Sequence, residues 1–175
     1  MAQTYRAVVT GATFASNKSM LTIFNGSGSG RIVRVKRIWF LNNQTVAVTG
    51  VLTTMEIRRI SASTGGTTAT VVKHDTSSEN IPAQITVTTG PTDTLTADIA
   101  LMRFLWSNDE PAVSSLVNDE TEIIPLLACV FDAATGDTDL EPLVLRTGEG
   151  VSVRHTGSSA VGVADVIIEF TLAAS

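Results

Sequence analysis

Apolar and polar positions alternate along most of this chain, and glycine, serine and threonine break the alternation at short intervals. The stretch Phe24 to Leu41, FNGSGSGRIVRVKRIWFL, shows the plan. Asn25, Gly26, Gly28 and Gly30, spaced by Ser27 and Ser29, predict a tight turn, because glycine reaches positive φ without a steric penalty. A strand follows. Counted at period two, Val33, Val35, Trp39 and Leu41 share one face with Arg37. Ile32, Ile38 and Phe40 share the other with Arg34 and Lys36. The run of β-branched and aromatic side chains favours strand over helix. Its first half has a polar face and its second half is apolar on both. That predicts a strand running from an exposed end into a packed interior or a subunit contact.

The same reading gives strands at Tyr5–Thr10, Met20–Phe24, Val46–Ile60, Gln84–Val87, Thr96–Trp106 and Glu122–Phe131. Leu143–Leu145, Val151–Arg154 and Val163–Leu172 close the chain as three more. Gly50 reads as a bulge, and Pro125 as an edge or bulge position. Ala112–Glu120 is ambiguous, with room for one helical turn. Ser61–Thr67, SASTGGT, predicts a hairpin pairing Met55–Ile60 with Thr68–Lys73. No long 3.6-residue period and no self-similar repeat is present, so bundles, propellers and solenoids are disfavoured. Many short strands between Gly, Ser, Thr and Pro turns point to an all-β protein. A two-sheet antiparallel β-sandwich of jelly-roll type is the expected fold.

Composition narrows this picture. The 175 residues fit one domain, with a short N-terminal arm over about 1–5, and a core that needs no covalent staples. Cys129 is the single cysteine, so no internal disulfide forms; its apolar neighbours predict a buried, inert thiol. A reduced, cytosolic assembly site fits. MAQTYRAVV lacks the basic-then-apolar order of a signal peptide, and no apolar run approaches a membrane helix. The net charge of −5 argues against bulk attraction to nucleic acid. Only 17% of residues are charged, below the usual quarter, which predicts surface hidden in an oligomer or larger assembly.

Candidate chemistry is thin. Gly26, Gly28 and Gly30 resemble a phosphate loop, but a strand follows where a helix is needed, and Arg31 stands where lysine would. His74 and His155 are the only histidines, too few for a cupin-type metal centre, and the His74–Asp75–Ser77 grouping lacks a nucleophile elbow. Asp132, Asp137, Asp139 and Glu141 crowd one loop around Gly136, out of EF-hand order, and read as an acidic loop rather than a calcium site. Arg31, Arg34, Lys36 and Arg37, with Trp39 and Phe40 interleaved and Arg58 and Arg59 further on, read as a solvated or partner-facing strand edge rather than a nucleic-acid groove. No catalytic residue, cofactor or metal site is therefore expected.

Three segments carry a resemblance: residues 24–45, FNGSGSGRIVRVKRIWFLNNQT; Glu79-Asn80-Ile81-Pro82-Ala83; and residues 143–172, LVLRTGEGVSVRHTGSSAVGVADVIIEFTL. Together they resemble the small jelly-roll virion proteins of tailed bacteriophages, of the head decoration (cement) kind. The Gly148-Glu149-Gly150 turn resembles that family's closing hairpin. The resemblance implies a non-enzymatic homotrimer on the capsid surface of the virion, assembled in the host cytoplasm. Its implied partner is the major capsid protein or another virion protein, with no nucleic acid, membrane or small-molecule substrate. The low charge and the Ile38–Phe40 apolar face agree with self-association. A receptor- or carbohydrate-binding module of a tail or fibre is the alternative, disfavoured by an aromatic content of 5%. The expected contact residues are the arm, Ala2, Gln3, Thr4 and Tyr5, which can extend a partner's sheet, and Arg31 and Arg34, which can pair with carboxylates.

Overall fold

The computed structural model describes residues 3–43, 52–96, 100–107, 127–133, 141–157 and 162–174. Among them there is no helix, and two antiparallel sheets pack face to face as a β-sandwich. In chain order the strands are β1 (Gln3–Thr13), β2 (Ser19–Asn25), β3 (Arg31–Asn42), β4 (Leu52–Thr64), β5 (Thr67–Thr68), β6 (Thr70–Lys73) and β7 (Ile85–Thr89). They continue as β8 (Thr92–Leu95), β9 (Met102–Ser107), β10 (Leu127–Asp132), β11 (Leu143–Leu145), β12 (Glu149–His155) and β13 (Val163–Ala174). The first sheet runs β10-β3-β13-β1-β6, with β11 also on β3; the second runs β5-β7-β2-β12-β4-β8, with β9 also on β4.

One extra residue decides how β3 is used. Val35 pairs with Phe170 and Arg37 with Glu169, so Lys36 is left over as a bulge. The bulge reverses the phase of the side chains. Val33, Val35, Ile38 and Phe40 all lie in the core, and Trp39 and Leu41 turn outward with Arg34 and Arg37. The period-two count had split these residues the other way, and the Ile38–Phe40 pair expected at a subunit contact is fully buried within one chain. Phe40 is the aromatic centre of the core, with Trp106 at 4.6 Å and Phe104 at 5.7 Å, both edge-on.

Pairing departs from the sequence reading in the middle of the chain. The expected hairpin of Met55–Ile60 with Thr68–Lys73 does not form. β4 extends to Thr64 and pairs with β12, β8 and β9, whereas β6 joins β1 in the other sheet. Gly65 and Gly66, at φ +69° and +81°, carry the chain across to β7. A Cβ on Gly66 would stand 2.7 Å from the Thr89 carbonyl, so glycine is required for that close crossing. The Gly148-Glu149-Gly150 turn is likewise a crossing between the sheets, from β11 to β12, not a hairpin.

The expected N-terminal arm is structured from Gln3 onward. Gln3, Thr4 and Tyr5 open β1, which lies between β13 and β6. Tyr5 is fully buried and stacks on Phe170 with ring centroids 5.5 Å apart. Ala2, Gly50, residues 112–120, Pro125, Asp137 and Asp139 lie outside the described residues.

Candidate interaction surface

The sequence-expected contact residues meet at one corner of the sandwich, where β1 and β3 both begin. The Tyr5 hydroxyl shares its proton between Gln3 Oε1 at 2.7 Å and the Glu79 carbonyl at 2.9 Å. Arg31 Nη2 reaches the Glu79 carboxylate at 3.3 Å, with both side chains substantially exposed. Burial of Tyr5, followed by the nearby Glu79 charge, raises its hydroxyl pKa against the opposing pull of Arg31. Thr4 and exposed Arg34 share a row on the outer face of the first sheet, through Thr171 between them. Three of the expected residues are thus joined through Glu79, which the sequence reading had quoted only as part of a short motif. Main-chain addition by a free arm is excluded from Gln3 on, because β1 spends its hydrogen bonds on two neighbours.

The outer face of the first sheet carries two contrasting rows. In the first, Arg6, Glu169, Arg37 and Asp132 stand in register across β1, β13, β3 and β10. Arg6 Nη2 lies 3.1 Å and Arg37 Nη1 3.4 Å from opposite oxygens of Glu169, and Arg37 Nε lies 3.3 Å from Asp132. His74 Nε2 stands 3.7 Å from the same Glu169. Charges therefore alternate in sign across four strands, around one nearly buried carboxylate. The next row is Val8, Ile167, Trp39 and Cys129, again in register. Its first three members are half-buried, and Cys129 is exposed. The expectation of a buried Cys129 fails because β10 is an edge strand and the thiol points out. Desolvation, then the Asp132 charge, raises the thiol pKa, so it stays protonated at neutral pH.

The outer face of the second sheet is closed. Thr22 and Ser152 are fully buried although they point away from the core. Ser152 Oγ donates to Ser19 Oγ at 2.7 Å, and Ser19 Oγ and Thr22 Oγ1 both donate to Asp93 Oδ2, the latter at 2.8 Å. Asp93 belongs to β8, which pairs with β4, so its segment folds back over β2 and β12 to make these contacts. Ile60 seals the same face against Gly150.

The other candidates are scattered. His155 is fully buried on the inner face near Phe14, whereas His74 stands at the edge of the first sheet. The Ala15 carbonyl, 3.2 Å from His155 Nδ1, can only accept, so the proton sits on Nδ1. Asp132 is engaged by Arg37, and no group of three or more His, Cys, Asp or Glu among the described residues is placed to hold a metal ion. The Gly26–Gly30 turn leads into β3, and its Gly26 N–H is used by the Gln84 carbonyl at 2.8 Å. A shallow groove of about 280 Å³ between β6 and β7 is lined by Ala69, Val71, Ile81, Pro82, Ile85 and Val87, without an aromatic ring. Compared with protein-family models, curated proteins and solved structures, the chain matches none.

Proposed function

We propose that this chain is a non-enzymatic structural protein of a bacteriophage particle, a capsid decoration protein that binds the outer shell and stabilises it. The observation that carries the reading is how its three resembling segments come together. Residues 24–45 and 143–172 supply β3, β11 and β13, which pair with one another, and Asn25 of the first segment pairs with Glu149 of the second. Glu79 of the short motif meets Arg31 at the corner. The corner of Arg31, Glu79 and Arg34 is the surface assigned to the shell, through arginine–carboxylate pairs. A decoration protein acts by linkage: binding the assembled shell better than its parts raises the shell's stability, multiplied over many copies. The implied location is the capsid surface. A closed trimer is the oligomer the resemblance implies.

A receptor- or carbohydrate-binding tail module is the second reading. Sugar recognition calls for exposed aromatic faces, and the groove between β6 and β7 offers aliphatic side chains instead. The test adds wild-type protein and an Arg31→Glu/Arg34→Glu variant to undecorated capsids. The proposal expects wild-type protein to bind and to raise the capsid melting temperature, and the variant to bind at least tenfold more weakly. Absence of binding by wild-type protein, or binding to glycan with none to capsid, rejects the decoration role. Equal binding of both proteins keeps the role and rejects the corner.

A further inference from the structure

We propose that the outer face of the first sheet binds a second copy of this chain about a two-fold axis passing between Ile167 and Trp39. A two-fold contact needs a surface that complements itself when rotated by half a turn. The strands β1, β13, β3 and β10 lie side by side with β13 and β3 at the centre. Rotation about an axis normal to the sheet between those two places β13 over the partner's β3, and β1 over the partner's β10.

The rows then match in chemistry. Ile167 comes over Trp39 of the partner subunit, so the half-buried apolar row is covered by itself. The next row along β3 is that of Arg37, and the corresponding row on the other side of Trp39 is that of Asp165 and Leu41. Arg37 therefore comes over Asp165 of the partner subunit, and the exchange happens twice. Asp165 is held ready by the Gly11 N–H at 2.7 Å and Asn43 Nδ2 at 2.8 Å. An aromatic centre with a charged rim is the usual anatomy of a contact between proteins.

The size is sufficient. Four strands about 4.8 Å apart, over roughly ten residues of about 3.3 Å each, cover about 600 Å² per copy, or about 1,200 Å² in total, the lower bound for a specific interface. Outer faces of twisted sheets can stack with their strands within about 30° of one another, as the two sheets of a sandwich do. The Arg31–Glu79 corner lies beyond this footprint, at the far end of β3, and stays open. The inference does not depend on what the corner binds.

The test uses Cys129, the only cysteine. Val8 and Cys129 occupy the two ends of one row, three strands apart. That is about 14 Å, twice the Cα separation of about 7 Å that a disulfide can span, so the two positions cannot be bridged within a chain. Across the proposed axis, Val8 lies over Cys129 of the partner subunit. A Val8→Cys variant, oxidised at micromolar concentration, is expected to run as a covalent dimer on non-reducing gels. Wild-type protein and Val8→Cys/Cys129→Ser are expected to stay single chains, because like positions lie on opposite sides of the axis. Failure of Val8→Cys to cross-link, or equal cross-linking of the wild type, overturns the proposal. So does a wild-type mass of one or three chains by light scattering.

Discussion

The two outer faces of this sandwich are built from the same alternating strands and end up as opposites. On the second sheet, Thr22 and Ser152 point outward yet are fully buried, because Asp93 and Ile60 close over them. On the first, Trp39, Ile167 and Val8 point outward and stay half in water beside a row of alternating charges. The difference lies in the connections. The segment that leaves β4 through Gly65 and Gly66 and returns through β8 lies across the second sheet. On the first sheet, no described segment does the same for the β13–β3 centre. A hydroxyl network under cover is a stabilising device; an apolar row left open beside satisfied charges is a contact surface.

The largest break in this comparison is expected at Gly150. A Cβ there would lie 2.6 Å from the Ile23 carbonyl and 2.7 Å from Ile60 Cγ1, with backbone on one side and a sealed side chain on the other. Gly150→Ala should cost about 3 kcal/mol in urea unfolding. By contrast, Val8→Ala on the open face should cost less than about 1 kcal/mol. Next comes Asp93→Ala, which strands the Ser19 and Thr22 hydroxyls in a buried place. Its expected loss is about 2 kcal/mol by the same measurement.

Acid gives a third, intermediate effect from the inner side of the second sheet. Burial lowers the His155 pKa below its usual 6.5, against a smaller opposing contribution from the Ala15 carbonyl. The unfolded chain therefore binds the proton first. Stability is at its full value above pH 6.5 and falls as the pH drops below it, until the folded-state pKa is reached. Melting temperatures taken from pH 7.5 downward should show this slope, and His155→Gln should remove the part that begins near pH 6.5. The smallest effect is expected on the open face, where Arg6→Ala removes a pair whose arginine is about half exposed. Its cost should be about 0.5 kcal/mol and should shrink with added salt.

Much of the strand inventory was legible in the sequence, because β-branched runs between glycine turns leave little choice of local structure. β2, β3, β7 and β13 lie within a residue or two of their expected bounds. Which face of β3 points inward was not legible past Val35, because one inserted residue, Lys36, reverses every side chain after it, and a bulge has no sequence mark of its own here. Pairing was not legible either. SASTGGT can close a hairpin or carry the chain across a sheet, and β4 instead finds β12 far along the chain. The corner of Gln3, Tyr5 and Arg31 was half legible: the residues were expected at a contact, but their meeting at Glu79 is a long-range event. Ile167 and Glu169 on β13 were the readable hint of the open face, as an apolar and a charged residue sharing positions expected to be uniformly polar.

The claim that the first sheet's outer face is the open one is tested most directly by sedimentation equilibrium on wild-type protein and on Trp39→Lys, both at micromolar concentration. The account predicts twice the 18.4 kDa chain mass for wild type and a folded single chain for Trp39→Lys, with unchanged far-ultraviolet circular dichroism. A wild-type monomer, or an association that Trp39→Lys leaves intact, would contradict it.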